Sequence, residues 1–194
     1  MAVSSAFYRA LLQGSRVKLQ PVGESDYPFL YELAINPETV FRGRLGAGVP
    51  SREAFEKSIW QSVLSQFVMV EIPGGQPIGQ VVASQLNSKS GYVSAAIGVI
   101  AEMSEELCAA EGIFLFLDHL FATYSVRKIC FEIPEQAASL LIRVLGEVLE
   151  GEGRLIENDF YAGQYWDTYL YALWRDRWSP LMGQARLSAM QQTK

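Results

Sequence analysis

One stretch limits the fold more than any other. Residues 104–124, SEELCAAEGIFLFLDHLFATY, have helical spacing but so few polar positions that the helix must be buried on most sides. Such a helix needs partners, and the flanking runs YVSAAIGVI (92–100) and KICFEI (128–133) read as strands. The strand-to-helix junction between them is a natural anion site, because free N–H groups and the helix dipole point at it. Yet it holds Glu102, Glu105, Glu106 and Glu111, with no Lys or Arg and no glycine before Gly112. Read locally, Ser104 caps a helix whose next two residues, both acids, complement the dipole.

The rest of the chain extends the same architecture. VKLQPV (17–22) alternates as an opening strand, and Ser25 or Asp26 caps a helix that Asn36-Pro37 must close. RGRLGAGVP (42–50) is a glycine-rich loop, and SREAFEKSIWQSVL (51–64) is a second amphipathic helix with a Ser cap. QFVMVEI (66–72) and PIGQVVASQL (77–86) read as a hairpin across Pro73-Gly74-Gly75. EQAASLLIRVLGEVL (135–149) is a further helix, and the C-terminal third ends in aromatic runs. The order β-α-α-β-β-β-α-β-α-β is a mixed α/β domain of the α+β kind, with helices on both faces of a mainly antiparallel sheet. We expect a lead-in over 1–13, the domain over 14–178 and a tail over 179–194, which reads either as a mobile tail or as a weakly amphipathic helix that packs on a partner chain.

Composition narrows the function. A net charge of -5 argues against a nucleic-acid groove. No apolar run reaches the ~18 residues of a membrane span, and the N-terminus lacks a signal-type apolar core. A cytoplasmic protein is expected, as a monomer or homodimer. Cys108 and Cys130 lie in apolar company and read as reduced, buried thiols. The single histidine, His119, has no second ligand at metal spacing and reads as a helix residue with a partly exposed ring.

Several stretches, in order, resemble the GCN5-related N-acetyltransferase (GNAT) superfamily, in its RimJ/RimL-type branch that acetylates ribosomal-protein N-termini. GSRVKLQPVGESDYPFLYEL resembles the family opening, QPIGQVV its third strand and AIGV (96–99) its fourth. AAEGIFLFLDHLFATYSVRKICFEI resembles the cofactor helix and fifth strand. QAASLLIRVL stands at the Asn-x-Ala-Ser helix start, EGEGRL at a Glu-Gly-x-Leu-Arg motif, and GQYWDTYLYALWRDRW at the closing strand, with Tyr165 and Asp167 on its pattern.

The resemblance implies acetyl transfer from acetyl-CoA, or a related acyl-CoA, to a primary amine: a protein N-terminus or a small amine. It implies cofactor contacts from Ile97 and Val99 on the fourth strand, from Ser104, Leu107, Cys108 and Ala109 in the pyrophosphate loop, and from Gln136. Ser139 is implied as proton donor to the leaving thiolate, with Tyr165 as a second catalytic candidate. The loop is degenerate: Ser104 replaces Gln or Arg, Leu107 replaces the central glycine, and only Ala109 keeps the pattern. Ala96 stands where a Glu commonly serves as base. Two alternatives follow: an acetyltransferase with atypical contacts, or a binding or regulatory module that kept the fold and lost the chemistry.

Overall fold

A computed structural model describes residues 12–36, 49–100, 107–135 and 138–178. Most of the 42–50 loop, Glu102, Ser104 to Glu106, Gln136 and the 179–194 tail lie outside them. Seven strands form one sheet: β1 (Val17–Pro21), β2 (Val63–Glu71), β3 (Pro77–Asn87), β4 (Tyr92–Val99), β5 (Lys128–Pro134), β6 (Leu149–Tyr161) and β7 (Gln164–Trp174). Their spatial order is β1-β2-β3-β4-β5-β7-β6, antiparallel throughout except for the β4/β5 pair. The mixed, mainly antiparallel architecture expected from the sequence is the one observed.

Helices cover both faces. Helix α1 (Tyr27–Ile35) and helix α2 (Arg52–Ser58) share a small core in which Leu30, Phe55 and Ile59 meet Val68 and Val70 of β2. On the other face lie α3 (Leu107–Thr123) and α4 (Ala138–Leu145), with Phe116, Leu117 and Leu120 of α3 fully buried. The run QFVMV in β2 is buried at every position, because its alternate side chains serve the two cores. Helix α1 stops at Asn36, whose ψ of 125° is the extended backbone that the following proline demands.

Three elements differ from expectation. Helix α2 keeps its cap, Ser51 Oγ accepting from the Ala54 N–H at 3.2 Å, but ends at Ser58. Ser62 turns the chain at φ 56°, and Val63 and Leu64 join the sheet instead. The helix read over 135–149 is described only over Ala138–Leu145, with Gly146–Val148 in a turn. The largest difference is β6, a thirteen-residue edge strand that makes seven strands where six were expected. Its sequence, LEGEGRLIENDFY, is charged and glycine-containing, and it is exposed along most of its length, so no apolar alternation announces it. The signal that was there is local: Ala162 (φ 51°) and Gly163 (φ 84°) form a two-residue turn with both residues left-handed, the hairpin type that suits strand twist.

The long apolar helix is tied down at the few polar positions it has. Glu111 is buried and accepts from the N–H groups of Ser15 (2.9 Å), Arg16 (2.7 Å) and Val17 (3.1 Å) and from Ser15 Oγ (2.8 Å). The acid read from sequence as part of an anion-repelling junction therefore faces inward and holds the start of β1. Arg175, just past β7, donates to the carbonyls of Phe121, Tyr124 and Val126, satisfying acceptors at the C-terminal end of α3. Asp118 accepts from Trp178 Nε1 at 2.7 Å.

Candidate active site

The site begins where two strands part. β4 and β5 pair in parallel at Tyr92↔Lys128, Val93↔Ile129 and Ser94↔Cys130, and no further. Beyond those residues both strands continue, β4 to Val99 and β5 to Pro134, and the space between them opens. Helix α4 closes one side of it. The resulting cleft is open to solvent and is lined by Ala95, Ala96 and Ile97 of β4, Phe131 to Pro134 of β5, and Leu140 and Leu141.

The ladder on the far side of β4 decides which backbone groups face this opening. Ile100 N–H donates to Ile78 O at 3.0 Å, and the β3/β4 register then runs without a break from Gly79↔Val99 to Ser84↔Ser94. In an antiparallel ladder the hydrogen-bonded pairs alternate. Ala96 and Gly98 therefore turn their N–H and C=O groups toward β3, while Ile97 and Val99 turn theirs away from it, and of these two Ile97 lines the cleft. Among the described residues neither amide has a ladder partner on that side. An N–H such as that of Ile97, aimed into a mostly apolar cleft, can hold an amide carbonyl or stabilise an oxygen on which negative charge develops.

The implied site residues fall around this opening unequally. Ile97 lines it, and Val99 lies at the end of the same strand with its side chain in the core. Leu107, Cys108 and Ala109 lie in α3; Cys108 and Ala109 are buried in the core, so only their backbone could meet a ligand. Ser139 sits in α4 immediately before Leu140 and Leu141. Tyr165 is elsewhere: β7 leaves β5 at Thr168↔Pro134, and Tyr165 lies on the part of the β6/β7 hairpin that runs past it, 63% exposed and packed on Phe160 with ring centres 4.9 Å apart. Asp167, its companion in the closing motif, is buried and accepts from the Glu157 N–H at 2.7 Å and from Arg154. The backbone hydrogen bond from Glu157 first, then the Arg154 guanidinium, holds its carboxyl below the usual carboxylate range. It organises the bulge between Leu155 and Asp159, where Glu157 takes φ 50°.

Two further sequence readings change. Cys108 is buried as expected, but Cys130 is only half-buried, because it points to the face that α3 and α4 do not cover. His119 is buried at 5% exposure, against Phe67 and near Ser65 Oγ (3.5 Å) and Thr123 Oγ1 (3.4 Å). Burial lowers its pKa from the ordinary 6.5, so the fold favours the neutral ring. Its contribution to stability is complete above about pH 6.5 and is lost as pH falls from there toward the lowered folded value. The expected result is a melting temperature that declines as pH falls from 7 toward 5, the unfolding free energy dropping by up to about 1.4 kcal/mol per pH unit for this one proton. Thermal scans of His119→Gln should lack that component; an unchanged slope would assign it to other groups. No group of three metal-ligating side chains occurs among the described residues, and none of their helices is long and apolar enough to cross a membrane.

A sheet splayed between its fourth and fifth strands, with a buried helix crossing from one to the other, is the fold of the GCN5-related N-acetyltransferases. Solved structures of that class match this chain. A GCN5-related N-acetyltransferase from Brucella melitensis superposes with a TM-score of 0.71 at 17% identity, over 92% of this chain and 84% of that one. The spermidine N-acetyltransferase from Vibrio cholerae, in complex with CoA and spermine, gives 0.68 at 19% identity, over 84% and 98%. A probable GNAT-family acetyltransferase from Chromobacterium violaceum gives 0.69 at 17%, over 86% and 87%. At these identities the likeness is one of fold. No protein-family model and no curated protein matches the sequence.

Proposed function

We propose that this protein is an N-acetyltransferase that passes an acetyl group from acetyl-CoA to a primary amine, either a small amine or a protein N-terminus as in the RimJ/RimL-type enzymes. The observation that carries the reading is the β4/β5 cleft with the Ile97 amide turned toward it. The donor set suits the group: a pantetheine arm is thin and carries amides, and the cleft offers unpaired N–H groups between apolar walls. Bound there, acetyl-CoA supplies an activated acetyl group. The chain's own part is to orient the arm, exclude water with Leu140 and Leu141, and present an N–H to the thioester oxygen. Leu107, Cys108 and Ala109 would meet the pyrophosphate through backbone N–H groups, with Ser104, and Gln136 would reach the pantetheine. Ser139, which precedes the cleft-lining leucines in α4, is the proposed proton donor to the leaving thiolate, and Tyr165, on the projecting hairpin, is the second catalytic candidate. That the Vibrio cholerae enzyme is seen with CoA and spermine supports an amine as acceptor.

Calorimetric titration tests this directly. Acetyl-CoA and CoA should bind saturably, within the ~1 µM to 1 mM span of ordinary enzyme substrates. No heat up to near-millimolar ligand would overturn the proposal. That result would favour the second reading, a GNAT-fold module without acyl chemistry, which Ala96 and the acidic Glu105 and Glu106 motivate.

A further inference from the structure

We infer that Met69 of β2, closed in between Gly79 of β3 and Gly112 of α3, is a positioning residue: it sets how far α3 stands from the sheet, and so where the N–H groups of Leu107, Cys108 and Ala109 meet CoA. The inference rests on the acetyltransferase reading above and concerns residues outside the cleft. Two glycines stand where a strand and a helix ordinarily carry side chains, Gly79 within PIGQVV (77–82) and Gly112 within CAAEGIF (108–114). Both face the same methionine. A Cβ on Gly112 would lie 2.5 Å from Met69 Sδ and 3.2 Å from its Cγ, while Val17 Cγ1 would be at an ordinary 3.7 Å. A Cβ on Gly79 would lie 2.5 Å from Met69 Cε and 2.4 Å from the Gly98 carbonyl oxygen.

The thioether has no room to give way. Met69 is fully buried, and it pairs with Gly79, which pairs in turn with Val99 at the end of β4. A methionine at the surface would swing aside from an added methyl group; this one is stopped by Gly112 at its sulfur and by Gly79 at its tip. Carbon contacts settle at about 3.5–4.0 Å, so an alanine at 112 needs roughly 1 Å of extra space, which α3 has to yield. The preceding residue resists that shift. Glu111 accepts from the N–H groups of Ser15, Arg16 and Val17, so α3 is tied to β1 beside the point where it rests on Met69. A helix held at one residue and lifted at the next tilts. Cys108 and Ala109 stand one turn before Gly112, and their N–H groups move with it. At Gly79 the obstacle is different, because the nearest atom belongs to the backbone of β4 and not to a side chain.

The test is calorimetric titration of the full chain with CoA, each variant being measured below its melting temperature. Gly112→Ala should bind CoA about 10-fold more weakly than the parent. Adding Met69→Val, which removes the sulfur and the methyl beyond it, should bring the affinity back to within about three-fold. Gly79→Ala should gain nothing from Met69→Val, since the Gly98 oxygen stays in the way. Leu30→Val, in the separate α1/α2 core, measures destabilisation alone: its melting temperature should fall and its CoA affinity should not. A folded Gly112→Ala with the parent's affinity overturns the inference, and so does a double variant that stays weak or does not fold, whether or not Gly112→Ala folds by itself. Equal rescue of both glycine variants by Met69→Val would show a general easing of packing and overturns it too. The acetyltransferase reading survives each of these results. A parent protein that binds no CoA overturns that reading and the inference with it.

Discussion

Glu111→Ala is expected to destabilise the protein by about 3–5 kcal/mol, roughly 10 °C in melting temperature for a chain of this size. One carboxylate, 6% exposed, serves three consecutive N–H groups and a hydroxyl at the start of β1. Truncation leaves those donors without an acceptor where water has little access. Glu111→Gln separates charge from shape: it keeps one carbonyl oxygen but sets an NH2 group against N–H donors, so about half the loss should remain. Gly14→Ala should resemble the truncation, because a Cβ there would lie 2.6 Å from the Glu111 carboxyl carbon. Urea denaturation of the three variants checks the ordering. If Glu111→Ala unfolds at the parent midpoint, the carboxylate is a passenger and β1 is held by its side chains alone.

That residue also shows what the sequence could and could not convey. The apolar helix, its flanking strands and the β2/β3 hairpin were legible because burial on both faces leaves an unmistakable composition in QFVMV and IFLFLDHLF. Glu111 was legible as an acid in that helix but not as an inward one, since its partners lie 94 to 96 residues away in the chain. His119 was misjudged for the same reason: Phe67 and Ser65, which enclose it, come from β2. The edge strand β6 was missed because an edge exposed to water needs no apolar alternation. Motif comparison led to β4 and to the departure at Ala96.

Ile97→Pro is expected to reduce acetyl transfer by about 10²–10³-fold while the protein stays folded. Proline removes one N–H, and at Ile97 that N–H points away from β3, so no ladder bond is lost and the side chain remains apolar. The neighbouring position provides the control. At Ala96 the N–H belongs to the Val82 pair, and Ala96→Pro breaks a bond in the middle of the sheet, at about 3 kcal/mol or more. Circular dichroism melts and single-turnover transfer should therefore dissociate the two variants: one stable and slow, the other unstable. Ile97→Val, which keeps the N–H and trims one methylene, should stay within a few-fold of the parent rate. Transfer at the parent rate by a folded Ile97→Pro would mean that the Ile97 amide does not face the reacting oxygen, and the donor role would pass to Val99. Only the alternation of the ladder distinguishes the two positions, so the pair of proline variants tests whether the β4 backbone, rather than any of its side chains, is the working part of the cleft.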